Sequence, residues 1–540
     1  MLNIIFYVFT FKYLKKYCPL IDRIFDSPVN VISVPREVLQ TFSSQRTLDL
    51  EKAFVDHTNI PCPPSLPIYG AFWIVLAHGF TDLAAAFRKL GEKYNTKIIG
   101  LFMGPVPTIV VNDSKLIKEV LNREEFDGRM DIILFRLRSY WKKLGIFFTD
   151  GYFWHVQRRF SLRYLRDYGF GRRDSTLESV MDGEIKEMLD LSRSGPKYPA
   201  EKEIVRGDLV YMPYYFSVPF LNGMMQVISR STLPRSEYHA LWTLSKGTVL
   251  FQRSSTDMGG ALSLTPWLKD VLPNYSGYNS LVKGNQYLLD FYKTLVEDAL
   301  KTHDETYDRH FLDMYITKMK QEIKEQNRTT YSVDQLVLTC TDYTFPAASA
   351  VEFVLAMLVE RLLLQPEIQD KIHEEIDRVV GRDRLPTLDD RKDMPYLECC
   401  IRETMRYDTV VPLGVPHRAM ADAKLGGYDV PEGTMLSVNL TMMNMDKELW
   451  GDPENFRPER FMKNGTLDVA SDKSLPFGAG RRLCAGETYA RQSMFQVFAA
   501  FMQAFSVSTP DGKPLLKPAP RIQGIITTIP EFWVKLTPRT

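Results

Sequence analysis

Two kinds of periodicity divide this chain. Residues 97–111, KIIGLFMGPVPTIVV, are rich in β-branched and apolar side chains around a central Gly-Pro pair, which predicts a hairpin. Asp113 or Ser114 then stands where a helix running to about Arg123 needs its cap. From about residue 150 apolar positions recur at helical spacing, and helices are predicted near 152–167, 210–231, 279–302, 333–364, 366–380 and 394–408. Short strands return over 424–440, around Gly426-Gly427 and Pro431-Glu432-Gly433. A strong helix at 486–505 and a β-like tail close the chain. The pattern predicts a mainly α protein with small β-sheets and no internal boundary from 61 to 540.

The first residues break the pattern. Residues 1–11, MLNIIFYVFTF, form an apolar run, and Lys12, Lys15 and Lys16 follow it. A bilayer-spanning helix needs about 20 apolar residues, so the run is too short to cross. It leaves an amphipathic or monotopic membrane anchor at 1–17 as the expectation. Residues 18–60 carry no clear period and read as a linker or extension. Pro61-Cys62-Pro63-Pro64-Ser65-Leu66-Pro67 reads either as a stiff spacer or as a surface loop ahead of the folded domain at 61–540.

Composition removes alternatives more than it adds them. A formal net charge of +1 over 540 residues supplies no field for nucleic acid. Six cysteines without a CxxC pair make neither a disulfide framework nor a structural zinc site. The chemistry therefore has to be local, and one stretch carries it. In Phe477-Gly478-Ala479-Gly480-Arg481-Arg482-Leu483-Cys484-Ala485-Gly486, three glycines allow tight turning and close approach to a flat ligand. Cys484 stands just before a predicted helix, whose first N–H groups lower a thiol's pKa and favour thiolate. Arg481 and Arg482 add positive charge that can bind a carboxylate.

This loop resembles F-x-x-G-x-R-x-C-x-G, the haem-binding loop of the cytochrome P-450 family, at every fixed position. The resemblance implies haem b (iron protoporphyrin IX) with Cys484 as its axial ligand. It also implies Arg482 on a haem propionate, Phe477 beside the sulfur, and Gly478, Gly480 and Gly486 shaping the loop. Four further stretches match in family order: the Pro61–Pro67 run, which resembles the family's Pro-rich hinge, then W-x-x-x-R, E-x-x-R and P-E-R-F. Trp154 and Arg158 match W-x-x-x-R, and their i, i+4 spacing puts two propionate donors on one helix face. Glu403 and Arg406 match E-x-x-R, and Arg460 of Pro458-Glu459-Arg460-Phe461 is the implied third member of a buried structural network. Pro416-His417 is similar to another propionate contact. The style is closest to the microsomal clan that includes animal drug- and steroid-metabolising members. The implied fold is an α-rich haem domain with a β-rich N-terminal subdomain.

One stretch departs from the family. The helix predicted at 333–364 corresponds to the one crossing the distal face of the haem, which carries A/G-G-x-D/E-T-T/S. Counting back from Pro366-Glu367 puts that motif on Pro346-Ala347-Ala348-Ser349-Ala350-Val351. The acid becomes Ser349 and the threonine Ala350, so Ser349 is the remaining candidate for a catalytic hydroxyl. Pro346 removes a helix hydrogen bond and clashes with the Asp342 carbonyl, which predicts a kink.

The resemblance implies a haem-thiolate monooxygenase that inserts one oxygen atom from O2 into a lipophilic small molecule. Electrons would come from NADPH through a flavoprotein reductase, with cytochrome b5 as a second candidate donor, at the cytosolic face of the endoplasmic reticulum membrane. The altered motif keeps two alternatives open: a hydroperoxide isomerase or dehydratase, and a non-catalytic haem-thiolate protein. Arg158, Arg159, Arg163, Arg166 and Arg481 form a candidate docking face for an acidic flavoprotein. The implied substrate contacts include Phe135, Phe147, Phe251, Ala347, Ala350, Val411 and Ile525.

Overall fold

The computed structural model describes residues 54–539 apart from 55, 66–69, 80–81, 105, 255–261, 263–265 and 326–328. The anchor expected at 1–17 and most of the 18–60 extension lie outside the described residues. Among the described residues no helix is long and apolar enough to cross a membrane.

The predicted hairpin forms as Ile98–Met103 and Val106–Val111, paired antiparallel from Ile98–Val111 to Met103–Val106. It is one edge of a five-stranded sheet completed by Met435–Val438, His417–Arg418 and Gly128–Arg129. Only the Val106–Val111/Met435–Val438 pairing in this sheet is parallel. The sheet carries His417 and Arg129 on neighbouring strands, in direct register. Asp113 caps the Ser114–Asn122 helix, its carboxylate accepting from the N–H groups of Lys115 and Leu116.

Helices build the rest, over one large apolar core that includes Phe216, Tyr292, Tyr315, Phe353 and Phe501. Most predicted helices lie within two residues of their expected bounds: Gly151–Arg166, Tyr278–Thr302, Pro366–Val379, Pro395–Asp408 and Glu487–Ala504. The segment predicted as a helix over 210–231 is split. Leu209–Met212 is a strand, and the helix starts only at Ser217. Pro213 cannot continue a ladder or a helix interior, and the alternating burial of Leu209–Met212 suits a strand paired with Phe532–Pro538. Helices Ser175–Ser194, Tyr238–Arg253 and Phe311–Glu325 are additional to the predicted set.

The long helix predicted at 333–364 is two helices, Val333–Ala347 and Ala350–Leu364. Pro346 has no N–H to give, and the chain turns out of helical geometry at Ser349 (φ −157°). The expected kink is thus a full break, placed in the middle of the cavity wall.

Candidate active site

Backbone constraints shape the cysteine loop. Gly478 and Gly480 sit at φ 73° and 64°. At Gly480 a Cβ would stand 2.1 Å from the Leu121 carbonyl oxygen, so any side chain would push the loop away from the Ser114–Asn122 helix. A short turn at Gly480–Arg482 follows, and the Cys484 N–H donates to the Phe477 carbonyl at 2.9 Å. Cys484, Phe477, Gly478 and Gly486 thereby line one internal cavity, while Gly480 stands behind it. Burial pushes the Cys484 thiol up, against the Gly486 N–H and the Arg158 guanidinium that pull it down. The helix start alone therefore does not make a thiolate here, because desolvation outweighs it. A metal cation bound at Sγ would hold the deprotonated form.

The residues beside the cysteine fit a doubly anionic ligand. Trp154 is buried and its indole Nε1 has no acceptor, and Nη1 of Arg482 is also buried without one. The Arg482 guanidinium lies 3.8 Å from the Trp154 ring centroid, and its Nε and Nη2 donate to the Asp127 carbonyl at 2.9 and 2.6 Å. Burial, with the Arg129 charge adding to it, pushes Arg482 down to about 8. Arg158 is also lowered by burial, and its Nη2 donates to the Leu483 carbonyl. Two buried donors lacking acceptors among crowded guanidinium groups suit the carboxylates of a haem b.

His417 has a more conditional place. Its Nδ1 donates to the Phe126 carbonyl at 2.7 Å, and burial holds the ring well below its ordinary pKa. Neutral with Nδ1 protonated, it offers a lone pair at Nε2. A hydrogen bond from Nε2 to a propionate would require the imidazolium.

Glu403, Arg406 and Arg460 come together away from this cavity. Arg406 is bidentate on Glu403, with Nε–Oε2 2.7 Å and Nη2–Oε1 2.8 Å. Arg460 Nε and the Arg457 N–H reach the same Oε1 at 3.0 and 2.8 Å. Arg406 Nη1 donates to the carbonyls of Asn444 and Pro453. Glu403 and Arg406 are fully buried and every charge is answered, so the network ties the Pro395–Asp408 helix to the 444–460 segment.

The distal wall is apolar. Ile146, Phe147, Ala347, Ala350, Val351 and Val411 line it, and Ile525 joins them from the C-terminal tail. Phe135 and Phe251, expected there, stand behind it. Phe135 stacks on Phe148 with centroids 3.6 Å apart, and Phe251 meets Phe345 edge to face at 5.5 Å. Each is a core ring, and on the helix carrying Phe251 the wall position is the next residue, Gln252. Ser349 is also off the cavity. Its hydroxyl donates to the Phe345 carbonyl at 3.0 Å, repairing a bond lost at the break.

Asp342, a buried acid on the Val333–Ala347 helix, escaped the motif reading. Its Oδ2 accepts from the N–H groups of Ile146 and Phe147 at 2.6 and 2.9 Å, and Oδ1 pairs with buried Arg138. It clamps the wall segment 145–147 to the helix. A Cβ on Gly145 would fall 2.3 Å from Oδ2, which gives that glycine its reason.

The family model for Cytochrome P450 matches residues 60–536. Among curated proteins, "Farnesoate epoxidase" of Bombyx mori is 30% identical over 483 residues, 89% of this chain and 94% of that protein. "Cytochrome P450 2E1" of Oryctolagus cuniculus is 30% identical over 468 residues, covering 85% and 88%. "Probable cytochrome P450 305a1" of Drosophila melanogaster is 29% identical over 464 residues, covering 84% and 88%. With a cysteine loop, cationic pocket and apolar wall assembled as described, the chain belongs to the cytochrome P450 family and is a haem-dependent monooxygenase.

Proposed function

We propose that this protein inserts one oxygen atom from O2 into a lipophilic small molecule, with electrons from NADPH through a flavoprotein reductase and cytochrome b5 as a second donor. It works at the cytosolic face of the endoplasmic reticulum membrane. The observation that carries this reading is the two-faced cavity: Cys484 and orphaned cation-side donors on one side, an almost wholly apolar wall on the other. Cys484 would hold the haem iron, Trp154, Arg158 and Arg482 its propionates, and the bound haem supplies the electron-transfer and oxygen-activating chemistry. The apolar wall desolvates the substrate and excludes bulk water from the reacting position. Arg159, Arg163 and Arg166 are exposed on the Gly151–Arg166 helix and offer the reductase a basic face; Arg158 is turned inward and Arg481 is paired with Glu124 and Asp127.

A second reading has its own support. Ala350 has no transferable proton, the Ser349 proton is spent on a carbonyl, and Asp342 accepts on both oxygens. A hydroperoxide isomerase or dehydratase needs no proton relay for O2. The reduced carbon-monoxide spectrum should show the red-shifted Soret band of thiolate ligation and lose it in Cys484→Ala. Reductase-driven turnover then separates the readings. Product formed in step with NADPH consumption supports oxygen insertion, whereas uncoupled NADPH loss beside rapid hydroperoxide decay overturns it.

A further inference from the structure

We propose that Gln252 is a substrate-positioning residue, and that it selects molecules that are apolar along their length but carry one neutral hydrogen-bonding oxygen. This rests on the reading of the cavity as a lipophilic-substrate site and adds the polar feature that substrate must have.

Gln252 lies in the last turn of the Tyr238–Arg253 helix, 1% exposed, on the cavity wall. Its Oε1 is buried without a hydrogen-bond partner, and among the described residues its Nε2 makes no hydrogen bond. A buried amide left unanswered is a cost that a fold normally removes. The other polar groups on the distal side of this wall are answered: Tyr343 Oη by Ser161, and Asp342 by Arg138 and two backbone N–H groups. Gln252 therefore keeps an unanswered acceptor at this wall, for an occupant of the cavity to meet.

Its position is fixed rather than adaptable. The Gln252 carbonyl accepts from the Ile525 N–H at 2.9 Å, and Gly524 comes so close that a Cβ there would stand 2.3 Å from that oxygen. Ile525 and Ile526 of the same tail also line the cavity, so the amide is set in an apolar rim. Such a site on a rigid helix end orients a ligand rather than merely tolerating it.

Charge decides which polar group fits. The neighbouring cation, Arg253, is fully engaged, by Thr528 Oγ1, Glu531 Oε1 and the Ile529 carbonyl. Of the remaining cations of the cavity, Arg158 and Arg482 lie against the Trp154 ring on the cysteine side, and Arg129 stands near enough to Arg482 to act on its charge. A carboxylate at Gln252 would be buried without a counter-charge, whereas a hydroxyl can donate to Oε1 and an ester or ketone oxygen can accept from Nε2.

The test is spectral titration of the haem-loaded protein with two matched series: decane, decanol and decanoate; adamantane, adamantanol and adamantane carboxylate. The alcohol should bind tighter than its hydrocarbon and its carboxylate by about fivefold, the weight of one net hydrogen bond. Gln252→Leu and Gln252→Met should abolish that preference while hydrocarbon binding is kept. The ligand-free variants should melt no lower than the parent, because an unpaired amide has gone; a glutamine with a structural role would instead lower the melting temperature. Equal binding of alcohol and hydrocarbon in the parent, or a preference that survives both substitutions, overturns the role of Gln252. Failure of every compound in both series to bind overturns the lipophilic-substrate reading itself.

Discussion

The two walls of one cavity are built on opposite principles. On the cysteine side most features are held by polar groups with named partners: a carbonyl for the Cys484 N–H, a carbonyl for Arg158, and the one Asp127 carbonyl for both Arg482 Nε and Nη2. On the distal side the wall is apolar, and the main polar investment, Asp342, is consumed in holding the wall segment in place. The cysteine side is built to hold a cofactor whose shape would not vary. The distal side leaves its chemistry to the occupant, and lacks the side-chain protons that the family usually supplies there.

The strongest way to break the comparison is to attack the network behind the cysteine side. In Glu403→Ala the Arg406 and Arg460 guanidinium groups lose their common acceptor inside the protein. Removing one partner of a buried pair costs about 3–5 kcal/mol. The expected outcome is protein recovered with little haem and a sharply lowered melting temperature, read from the ratio of Soret to protein absorbance. Glu403→Ala protein with full haem content and parental melting would show that the network is dispensable.

The same contrast explains what the sequence discloses. The cysteine side is short-range: Cys484, Arg482 and the glycines fall in ten residues, and Trp154–Arg158 and Glu403–Arg406 are each within one helical turn or so. Spacing alone therefore aligns them. The distal wall is assembled from five distant stretches, near 146, 252, 347, 411 and 525, and which side chain of each faces inward depends on packing. Choosing the most apolar residue picks Phe135 and Phe251, which are core rings, because a core selects for apolarity more strongly than a wall does. Gln252 would emerge from a helical-wheel count only once the cavity face was known. Asp342 did leave a signal: an acid in the interior of a mostly buried helix, four residues before a proline. The Leu209–Met212 strand also left one in Pro213, but besides the short neighbour Val205–Arg206 its partner strand lies more than three hundred residues away.

A milder perturbation sharpens the comparison from the distal side. Ala350 lines the cavity at the start of the second distal helix, so Ala350→Thr returns a hydroxyl to the wall. If the missing proton donor limits oxygen insertion, the share of NADPH electrons recovered in product should rise toward one. Adding Ser349→Glu tests the acid as well, at the cost of the Ser349–Phe345 bond that closes the helix break. Coupling that stays at the parental level in both variants would mean that the occupant or solvent already supplies the proton.

The smallest expected effect concerns the acid on the back of that helix. Glu352 is fully buried, with Oε1 accepting from Ser245 Oγ at 2.6 Å and Oε2 from Ser217 Oγ. It points away from the cavity, two residues past Ala350, and joins three helices instead of serving the wall. Burial, offset in part by the two serines, pushes its carboxyl up to about 8. A carboxyl that is higher in the folded than in the unfolded chain binds more protons when folded throughout the window between the two values. Stability is therefore full below about pH 4.5 and declines as pH rises toward 8. Glu352→Gln keeps the shape and removes the titration, so its melting temperature should fall less than the parent's between pH 5 and pH 8. The pH dependence of coupling should be the same in both proteins, because no cavity group hears from Glu352. A change in coupling with an unchanged melting slope would make Glu352 a distal proton source after all, and would erase the division between a wall that holds charge and a wall that lacks it.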